Sequence, residues 1–298
     1  MNTSATAGVG DAADLRRIIE TALAEDAPWG DLTSDALIPA TATATAKLNA
    51  RESGRLSGIG VFAAVFAAVD PTIIVRPLAA DGEAFLSGQL LALIEGPARA
   101  VLTAERVALN LTQRMCGIAT LTAAFVTAVE GVTSAAGNPT RIADTRKTTP
   151  GLRSIERQAV RDGGGHNHRR SLSDAVMAKD NHLAVLVSQG LDVTTALRQA
   201  RERLPHTTHV VVEVDRLDQI VPVIRGGAQT VLLDNFTIDE LRQGVRQIAG
   251  KAVAEASGGV NLETVRSIAE TGVDVISVGA LTHSARALDL GLDVTISA

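Results

Sequence analysis

The chain has 298 residues, of which 46% are hydrophobic and 20% charged, a composition that supplies a large core and excludes intrinsic disorder. Its net charge of −5, with five Phe, one Trp and no Tyr, argues against a generalised nucleic-acid binder. The single cysteine, Cys116, excludes a disulfide framework within the chain and predicts a reducing compartment, most simply the cytoplasm.

No segment of the sequence is long enough to cross a bilayer. The most apolar run covers residues 61–69 and stops at Asp70, whereas a spanning helix needs about 20 apolar residues. The first basic residue is Arg16, so the chain opens without the basic region of a signal peptide. The small, polar residues 1–14 predict a frayed end, and the whole pattern predicts a soluble intracellular protein.

The first third of the chain predicts an α+β domain. A helix is expected from Ala13 to about Glu25, and the alternation in TATATAK predicts a strand. A short helix at 61–69, a strand at 72–75 and a hairpin within 81–98 follow. From Ala98 to about Glu130 the pattern is helical, and we expect two helices broken near Gly117.

From residue 140 onward, six short apolar runs each end in a polar residue or glycine. Their end points are Thr145, Lys179, Glu213, Asp234, Ser257 and Gly279. The spacings of 34, 34, 21, 23 and 22 residues are typical of βα units, which form parallel sheets. Because no GxGxxG follows the first strand, we favour a barrel with fewer than eight strands over an open doubly wound sheet. The end-point residues would then meet at the carboxyl ends of the strands.

The overall prediction is an α/β protein in two domains. An N-terminal α+β, sandwich-like domain covers residues 1–121, and a C-terminal α/β barrel with fewer than eight strands covers 122–298. Within the barrel, a capping box at Thr237–Glu240 predicts a helix that closes at Gly250. A further helix is expected between Asn261 and Gly272.

A basic window interrupts this acidic chain. Between Arg146 and His182 there are eight Lys and Arg residues against four acidic residues, and three of the six histidines also lie there. A solvated face more often mixes the two signs evenly. The window therefore indicates a cleft for a small polyanion, such as a phosphate, a pyrophosphate or a polycarboxylate.

Two glycine-containing loops are candidates for a phosphate site. Ser257-Gly258-Gly259 precedes a predicted helix, and Ser277-Val278-Gly279 ends the last predicted strand. Backbone N–H groups at a helix start, clear of side chains, suit a phosphate monoester, and barrels often bind phosphate at their last two strand loops. The alternative is plain turn chemistry.

Charged residues near the strand ends supply further candidates. Arg146 and Lys147 share a loop fixed by Pro150, and either could bind anions or be solvated. The run GGGHNHRR suggests an anion pocket rather than zinc, because no third ligand of conventional spacing lies nearby. Lys179 needs a partner, which Glu213 or Asp234 could supply; these carboxylates could equally hold Mg²⁺ or ribose hydroxyls. Arg106, taken alone, reads as a surface residue.

Taken together, these strings resemble the quinolinate phosphoribosyltransferases. The similarity runs in order from EDAPWGDLTS through TAERVALN, DTRKTTPGLR, GGGHNHR, KDNH, VEVD, LLDNF and EASGG to TGVDVISVGALTHS. DTRKTTPG and KDNH are the most specific of these motifs. One departure is Gln158, in ERQAV, where the family usually has tyrosine.

The resemblance implies an enzyme that combines quinolinate with 5-phosphoribosyl 1-pyrophosphate, giving nicotinate mononucleotide, pyrophosphate and CO₂ in NAD biosynthesis. It implies a Mg²⁺ requirement and a homodimer in which one subunit's N-terminal domain covers the other's barrel mouth. It also implies catalytic roles for four residues, which are Lys147, Lys179, Glu213 and Asp234. Glu213 and Asp234 would hold the metal directly or through water.

The same resemblance implies a set of substrate-binding residues. Those that would bind the quinolinate carboxylates and the pyrophosphate are Arg146, Lys147, His168, Arg169 and Lys179. Arg106 would reach in from the partner subunit, and Thr148 is a further substrate-binding residue. Those that would bind the 5-phosphate are Ser257, Gly258, Gly259, Ser277, Val278 and Gly279. Two alternatives stay open: a paralogue of the ModD type that uses another acceptor, and a catalytically silent relative that binds phosphoribosyl ligands.

Overall fold

A computed structural model describes residues 9–188 and 190–297, without the side chains of residues 9–11, 180, 186 and 187. The helices are α1 (Val9–Asp26), α2 (Leu32–Leu37), α3 (Ile59–Val69), α4 (Ala98–Ala128), α5 (Arg153–Asp162), α6 (Asp180–Ser188), α7 (Val193–Glu202), α8 (Ile220–Arg225), α9 (Ile238–Ile248), α10 (Val265–Ala269) and α11 (Ala280–His283). The strands are β1 (Thr43–Ala50), β2 (Gly54–Arg55), β3 (Ile74–Pro77), β4 (Ala84–Phe85), β5 (Leu90–Pro97), β6 (Arg141–Ala143), β7 (Val176–Ala178), β8 (Val210–Val214), β9 (Thr230–Asp234), β10 (Val253–Ser257), β11 (Val275–Ser277) and β12 (Leu290–Ser297).

The ends of the helices refine the sequence prediction. Helix α1 already begins at Val9, so the prediction of a frayed end is wrong for residues 9–14. Residues 1–8 of that predicted end lie outside the described residues.

Among the described helices, none combines the length and the apolar character needed to cross a membrane.

The chain forms two compact units that are not continuous in sequence. The first contains the described residues up to Ala123 together with 148–164 and 284–297, and the second contains 124–147 and 165–283. The change of unit at 123/124 falls inside α4. A single boundary between 121 and 122 does not provide for the two later segments that return to the first unit.

The first unit is built on a four-stranded antiparallel sheet in the order β12-β1-β5-β3. Alternate residues of β1, from Ala44 to Ala50, are buried, as the period-two pattern of TATATAK predicts. Strand β12 pairs along the whole of β1, from Thr43 opposite Ser297 to Ala50 opposite Leu290. The predicted hairpin within 81–98 is wrong, because β4 pairs with β2 while β5 pairs with β1 and β3.

Helix α4 runs unbroken through 31 residues, so the predicted break near Gly117 is also wrong. The glycine serves a close approach instead: a Cβ at this position would lie 1.9 Å from the carbonyl oxygen of Arg286. Gly117 therefore lets the chain leading to β12 pass against the helix backbone.

The second unit is a six-stranded parallel sheet in the order β6-β11-β10-β9-β8-β7. The first strand in sequence, β6, lies beside the last, β11. This order arises when a singly wound sheet curls round on itself, which confirms an α/β barrel with fewer than eight strands. His166 forms a parallel bridge with Ala143, so the segment after α5 runs along β6.

Two predicted helices of the barrel compare differently with the structure. Helix α9 carries the predicted capping box, with reciprocal bonds between Thr237 and Glu240. Helix α10 is shorter than predicted, because Asn261 caps a turn and the helix proper starts only at Val265.

Candidate active site

A cavity of about 460 Å³ opens at the carboxyl ends of the barrel strands, entirely within the second unit. It is lined by Thr145, Arg146, Lys147, His168, Arg169, Met177, Lys179, Glu213, Leu232, Asp234, Glu255, Ser257, Gly258, Gly259, Val260, Ser277, Gly279, Ala280 and His283. The six strand end points predicted from the spacing, five polar residues and one glycine, all line this one cavity.

A larger cavity of about 970 Å³ lies at the opposite, amino-terminal ends of the strands. Arg141, His166 and Lys251 are among its lining residues, but none of the predicted site residues belongs to it. In α/β barrels the chemistry resides at the carboxyl ends of the strands, so we assign the smaller cavity as the candidate active site.

Lys179 and Glu213 form an ion pair across the cavity wall. The Lys179 Nζ lies 2.6 Å from Glu213 Oε2, and the two side chains are 45% and 18% exposed. Asp234 is held differently, because its Oδ2 accepts a hydrogen bond of 2.8 Å from the Asn235 side chain. In the described part of the chain, the side-chain bond to Asp234 comes from a neutral amide, whereas Glu213 is paired with the charged Lys179. The two carboxylates are therefore chemically distinct.

Cations from two loops converge on the same cavity. Burial, followed by the nearby charge of Arg146, lowers the pKa of Arg169 below its ordinary value. Arg169 is held in place by a 3.0 Å bond from its guanidinium to the carbonyl of Ala175. Cations placed this close to one another are stabilised by an anion between them, which suits a dicarboxylate or a pyrophosphate.

Lys147 is positioned by its own loop. Its N–H donates to Thr145 Oγ1 at 3.0 Å, and its carbonyl accepts from Thr282 Oγ1 at 2.8 Å. A Cβ at Gly279 would approach the Lys147 side chain to 3.1 Å, so the glycine leaves room for the lysine at the cavity mouth.

Two carboxylates that the sequence analysis missed organise His168. Asp144 is fully buried, and its Oδ1 accepts from the His168 N–H at 2.6 Å. Glu255 is 3% exposed and lies with its Oε1 3.3 Å from His168 Nε2. The signal for Glu255 is its alternation with Ser257 on β10, because residues two apart on a strand face the same side.

The glycine loop after β10 depends on one close approach. Gly258 has φ of +97°, and a Cβ there would lie 2.1 Å from Asn235 Oδ1, whereas a Cβ at Gly259 would meet no atom within 4 Å. A helix was predicted directly after this loop, and that prediction is wrong. Helix α10 begins only at Val265, five residues after Val260. The open backbone of the loop still faces the cavity.

The loop after β11 only partly matches the prediction. Gly279 lines the cavity, whereas Val278 is fully buried and its N–H donates to the carbonyl of Ala143, so the role of Val278 in phosphate binding stays a prediction. The Ser277 hydroxyl donates to Glu255 and is 4% exposed. Ser277 therefore contributes to the cavity wall with its hydroxyl already committed.

Two predicted site residues belong to the first unit. Thr148 Oγ1 accepts from Arg153 Nε at 2.9 Å. Arg106 is exposed on α4, and among the described residues its side chain has no recorded hydrogen bond or ion pair.

A six-stranded α/β barrel whose mouth combines convergent cations, carboxylates and a glycine loop defines a barrel enzyme for anionic, phosphate-bearing substrates. The family model "Quinolinate phosphoribosyl transferase, C-terminal domain" matches residues 118–293, and the corresponding N-terminal domain model matches residues 31–116. The chain belongs to the quinolinate phosphoribosyltransferase family.

Three relatives are similar over almost their whole length. The nicotinate-nucleotide pyrophosphorylase (carboxylating) of Mycobacterium leprae is 42% identical over 287 residues, covering 94% of this chain and 96% of that protein. The probable enzyme of the same name from Bacillus subtilis is 37% identical over 289 residues, covering 95% and 94%. The crystal structure of NadC from Streptococcus pyogenes superposes with a TM-score of 0.88 at 37% identity, covering 96% of this chain and 98% of that one.

Proposed function

We propose that the protein transfers the phosphoribosyl group of 5-phosphoribosyl 1-pyrophosphate to quinolinate and releases pyrophosphate and CO₂, forming nicotinate mononucleotide for NAD biosynthesis. The observation that carries this proposal is the cavity itself, in which four cations, Arg146, Lys147, Arg169 and Lys179, face the same space as Glu213 and Asp234. Both substrates are polyanions, and the sugar becomes cation-like during transfer, so the reaction requires both signs of charge.

The bond changes need no nucleophile from the protein. The quinolinate ring nitrogen attacks C1 of the ribose as the bond to pyrophosphate breaks, and the product is an N-ribosylated pyridinium. The bond from C2 of the ring to its carboxylate then breaks, its electron pair is accommodated by the cationic ring, and C2 takes up a proton. Consistent with this, the only thiol is inert, because burial raises the pKa of Cys116 to about 12.

Within this reaction we assign each group of residues a task. Arg146, His168 and Arg169 bind the quinolinate carboxylates, and Lys147 and Lys179 stabilise the charge that grows on pyrophosphate. The 5-phosphate is received by the backbone of Gly258 and Gly259, beside Ser257, together with Gly279. Ser277 supports the wall of this phosphate site through its hydrogen bond to Glu255. Thr148 fixes its own loop by accepting a hydrogen bond from Arg153.

Magnesium fits the donor set of this cavity. Within the described residues, no group of three or more His, Cys, Asp and Glu side chains is placed to hold a metal alone. Mg²⁺ keeps several waters and is often bound by one or two carboxylates with substrate phosphates, so Glu213 and Asp234 would suffice. When bound, the metal would neutralise charge on the pyrophosphate leaving group.

We further propose that the enzyme works as a homodimer in the cytoplasm. Arg106 is exposed, and it would complete the cavity of a partner subunit by binding the second carboxylate of quinolinate. The one cysteine is a free, buried thiol, which suits a reducing compartment.

The proposal is tested by incubating the purified protein with quinolinate, the phosphoribosyl donor and Mg²⁺, with nicotinate as a parallel acceptor. Nicotinate mononucleotide should form from quinolinate and not from nicotinate. If the donor binds but neither acceptor reacts, the paralogue with a different acceptor becomes the better assignment. If the donor does not bind, the enzymatic assignment fails.

The role assigned to Lys147 is tested in the same assay with a matched pair of lysine variants. K147A should reduce kcat by about a hundredfold or more, because it removes one charged contact to the leaving group. K251A, which removes a lysine from the amino-terminal cavity, should turn over at the wild-type rate. Equal activities of the two variants would contradict the role of Lys147.

A further inference from the structure

Glu255 is a buried carboxylate in the cavity to which the proposed reaction assigns only the support of Ser277. It sits in the middle of β10, is 3% exposed, and points to the same side of the strand as Ser257 at the cavity. A buried carboxylate is costly without hydrogen-bond donors around it, so its contacts indicate what it does.

One oxygen of Glu255 joins the two halves of the cavity. Oε1 accepts from the Ser277 hydroxyl, at the loop assigned to the 5-phosphate, and lies 3.3 Å from Nε2 of His168, at the acceptor side. Both partners are themselves largely buried, since the His168 side chain is 13% exposed and Ser277 is 4% exposed. Moving this one oxygen would disturb both loops.

The contacts of His168 also fix which ring nitrogen carries the proton. The Arg169 N–H lies 2.6 Å from Nδ1, so Nδ1 accepts and the proton of a neutral ring sits on Nε2, facing Glu255. Asp144 holds the backbone of the same residue through its N–H. The imidazole is therefore held at its backbone and at both nitrogens.

Resting on the function proposed above, we propose that Glu255 is a positioning residue that anchors two segments through a single oxygen. These are the acceptor loop, which carries His168 and Arg169, and the phosphate loop, residues 277–279. It holds His168 as the Nε2–H tautomer and holds Ser277 against the barrel wall. Both substrates then depend on a carboxylate that acts through these two side chains.

The variant E255L tests the proposal, because leucine is similar in size to glutamate but has no oxygen that can accept a hydrogen bond. The KM for quinolinate should rise about tenfold or more, and the KM for the phosphoribosyl donor should rise in parallel, because two buried donors lose their partner. D81N, which alters a partly buried carboxyl of the first unit, is the matched control and should leave both KM values unchanged. Wild-type KM values in folded E255L would overturn the proposal.

Double variants distinguish positioning from general loss of stability. If Glu255 acts on quinolinate through His168, E255L should add less than threefold to the KM of H168A. If the double variant instead raised the KM for quinolinate by the product of the two single-variant factors, Glu255 would not act through His168. Wild-type enzyme in the same assay separates the two proposals, since its inactivity would defeat the proposed function, whereas active wild type with an unaffected E255L would defeat only this one.

E255Q covers the case in which E255L does not fold. Its amide oxygen can still accept both bonds, so its KM for quinolinate should rise by a smaller factor, about threefold to tenfold. Nitrogen-15 spectra of the imidazole rings give a readout without turnover. His168 should show the Nε2–H tautomer in the wild type, and the opposite tautomer there would overturn the proposal.

Discussion

Individual residues of the cavity are constrained by contacts that no local pattern reports. Gly258 is an example: it has a positive φ, and the Asn235 side chain and backbone occupy the space where a Cβ would be. Asn235 in turn holds Asp234, so the glycine, the amide and the carboxylate form one contact chain beside the proposed phosphate site.

G258A should therefore weaken binding of the phosphoribosyl donor, raising its KM by about tenfold, because the loop must shift away from Asn235. G259A is the matched control, since its Cβ would meet no neighbouring atom and only the strain of positive φ remains. Steady-state kinetics with varied donor compares the two. Equal donor KM values for G258A and G259A would argue against this role of the close approach.

Asp162 gives the first unit a pH dependence of its own. Burial, opposed by the Ser57 hydroxyl, raises the pKa of its carboxyl from 3.8 to about 6, and the neighbouring Asp81 adds to the rise. Between pH 4 and 6 the folded chain holds a proton that the unfolded chain has lost. The contribution of this group to stability therefore declines as pH rises through that interval.

D162N should flatten the dependence of stability on pH between 4 and 6, and at pH 8 it should stabilise the protein by about 1 kcal/mol, because solvent screens this partly exposed carboxyl. Asparagine can still accept from Ser57, so the hydrogen bond is retained. Thermal unfolding of both proteins across this range is the measurement. A variant that is less stable than wild type at pH 8 would contradict the assigned cause.

At the scale of elements, α4 shows why a glycine in a helix need not mark its end. Because the carbonyl of Arg286 passes where a Gly117 side chain would be, G117A should lower the free energy of unfolding by about 2 kcal/mol or more. G60A, in α3, is the control: its Cβ would meet no atom within 4 Å, so it should be neutral or stabilising by about 0.5–1 kcal/mol. Denaturant titration measures the free energy of unfolding of both variants. A G117A variant as stable as the wild type would contradict the importance of the close contact with Arg286.

The strands of the barrel could be predicted because each is a short apolar run that stops at a polar residue. The same local signal could not show that β12 pairs with β1, since this contact joins opposite ends of the chain. It also could not show that the Val278 N–H is already used by Ala143, because that depends on β11 lying beside β6. Glu255 was missed because the alanines around it make β10 read as an apolar strand.

At the scale of the whole molecule, the proposed dimer makes a prediction about mixed subunits. R106A would lack the arginine given to its partner, and K147A would lack a residue of its own cavity. In a mixed dimer, the cavity of the R106A subunit keeps its lysine and receives an intact Arg106 from the partner. After subunit exchange, an equal mixture of these two weakly active variants should recover about a quarter of the wild-type activity. No recovery after demonstrated exchange would place Arg106 outside the partner's site.

The most direct test of the central claim follows the carboxylate that the reaction should remove. Quinolinate labelled in its C2 carboxylate is incubated with the protein, the phosphoribosyl donor and Mg²⁺. Labelled CO₂ should appear only when the donor is present, one for each nicotinate mononucleotide formed. A nucleotide that keeps the label, or labelled CO₂ released without the donor, would contradict the assigned reaction.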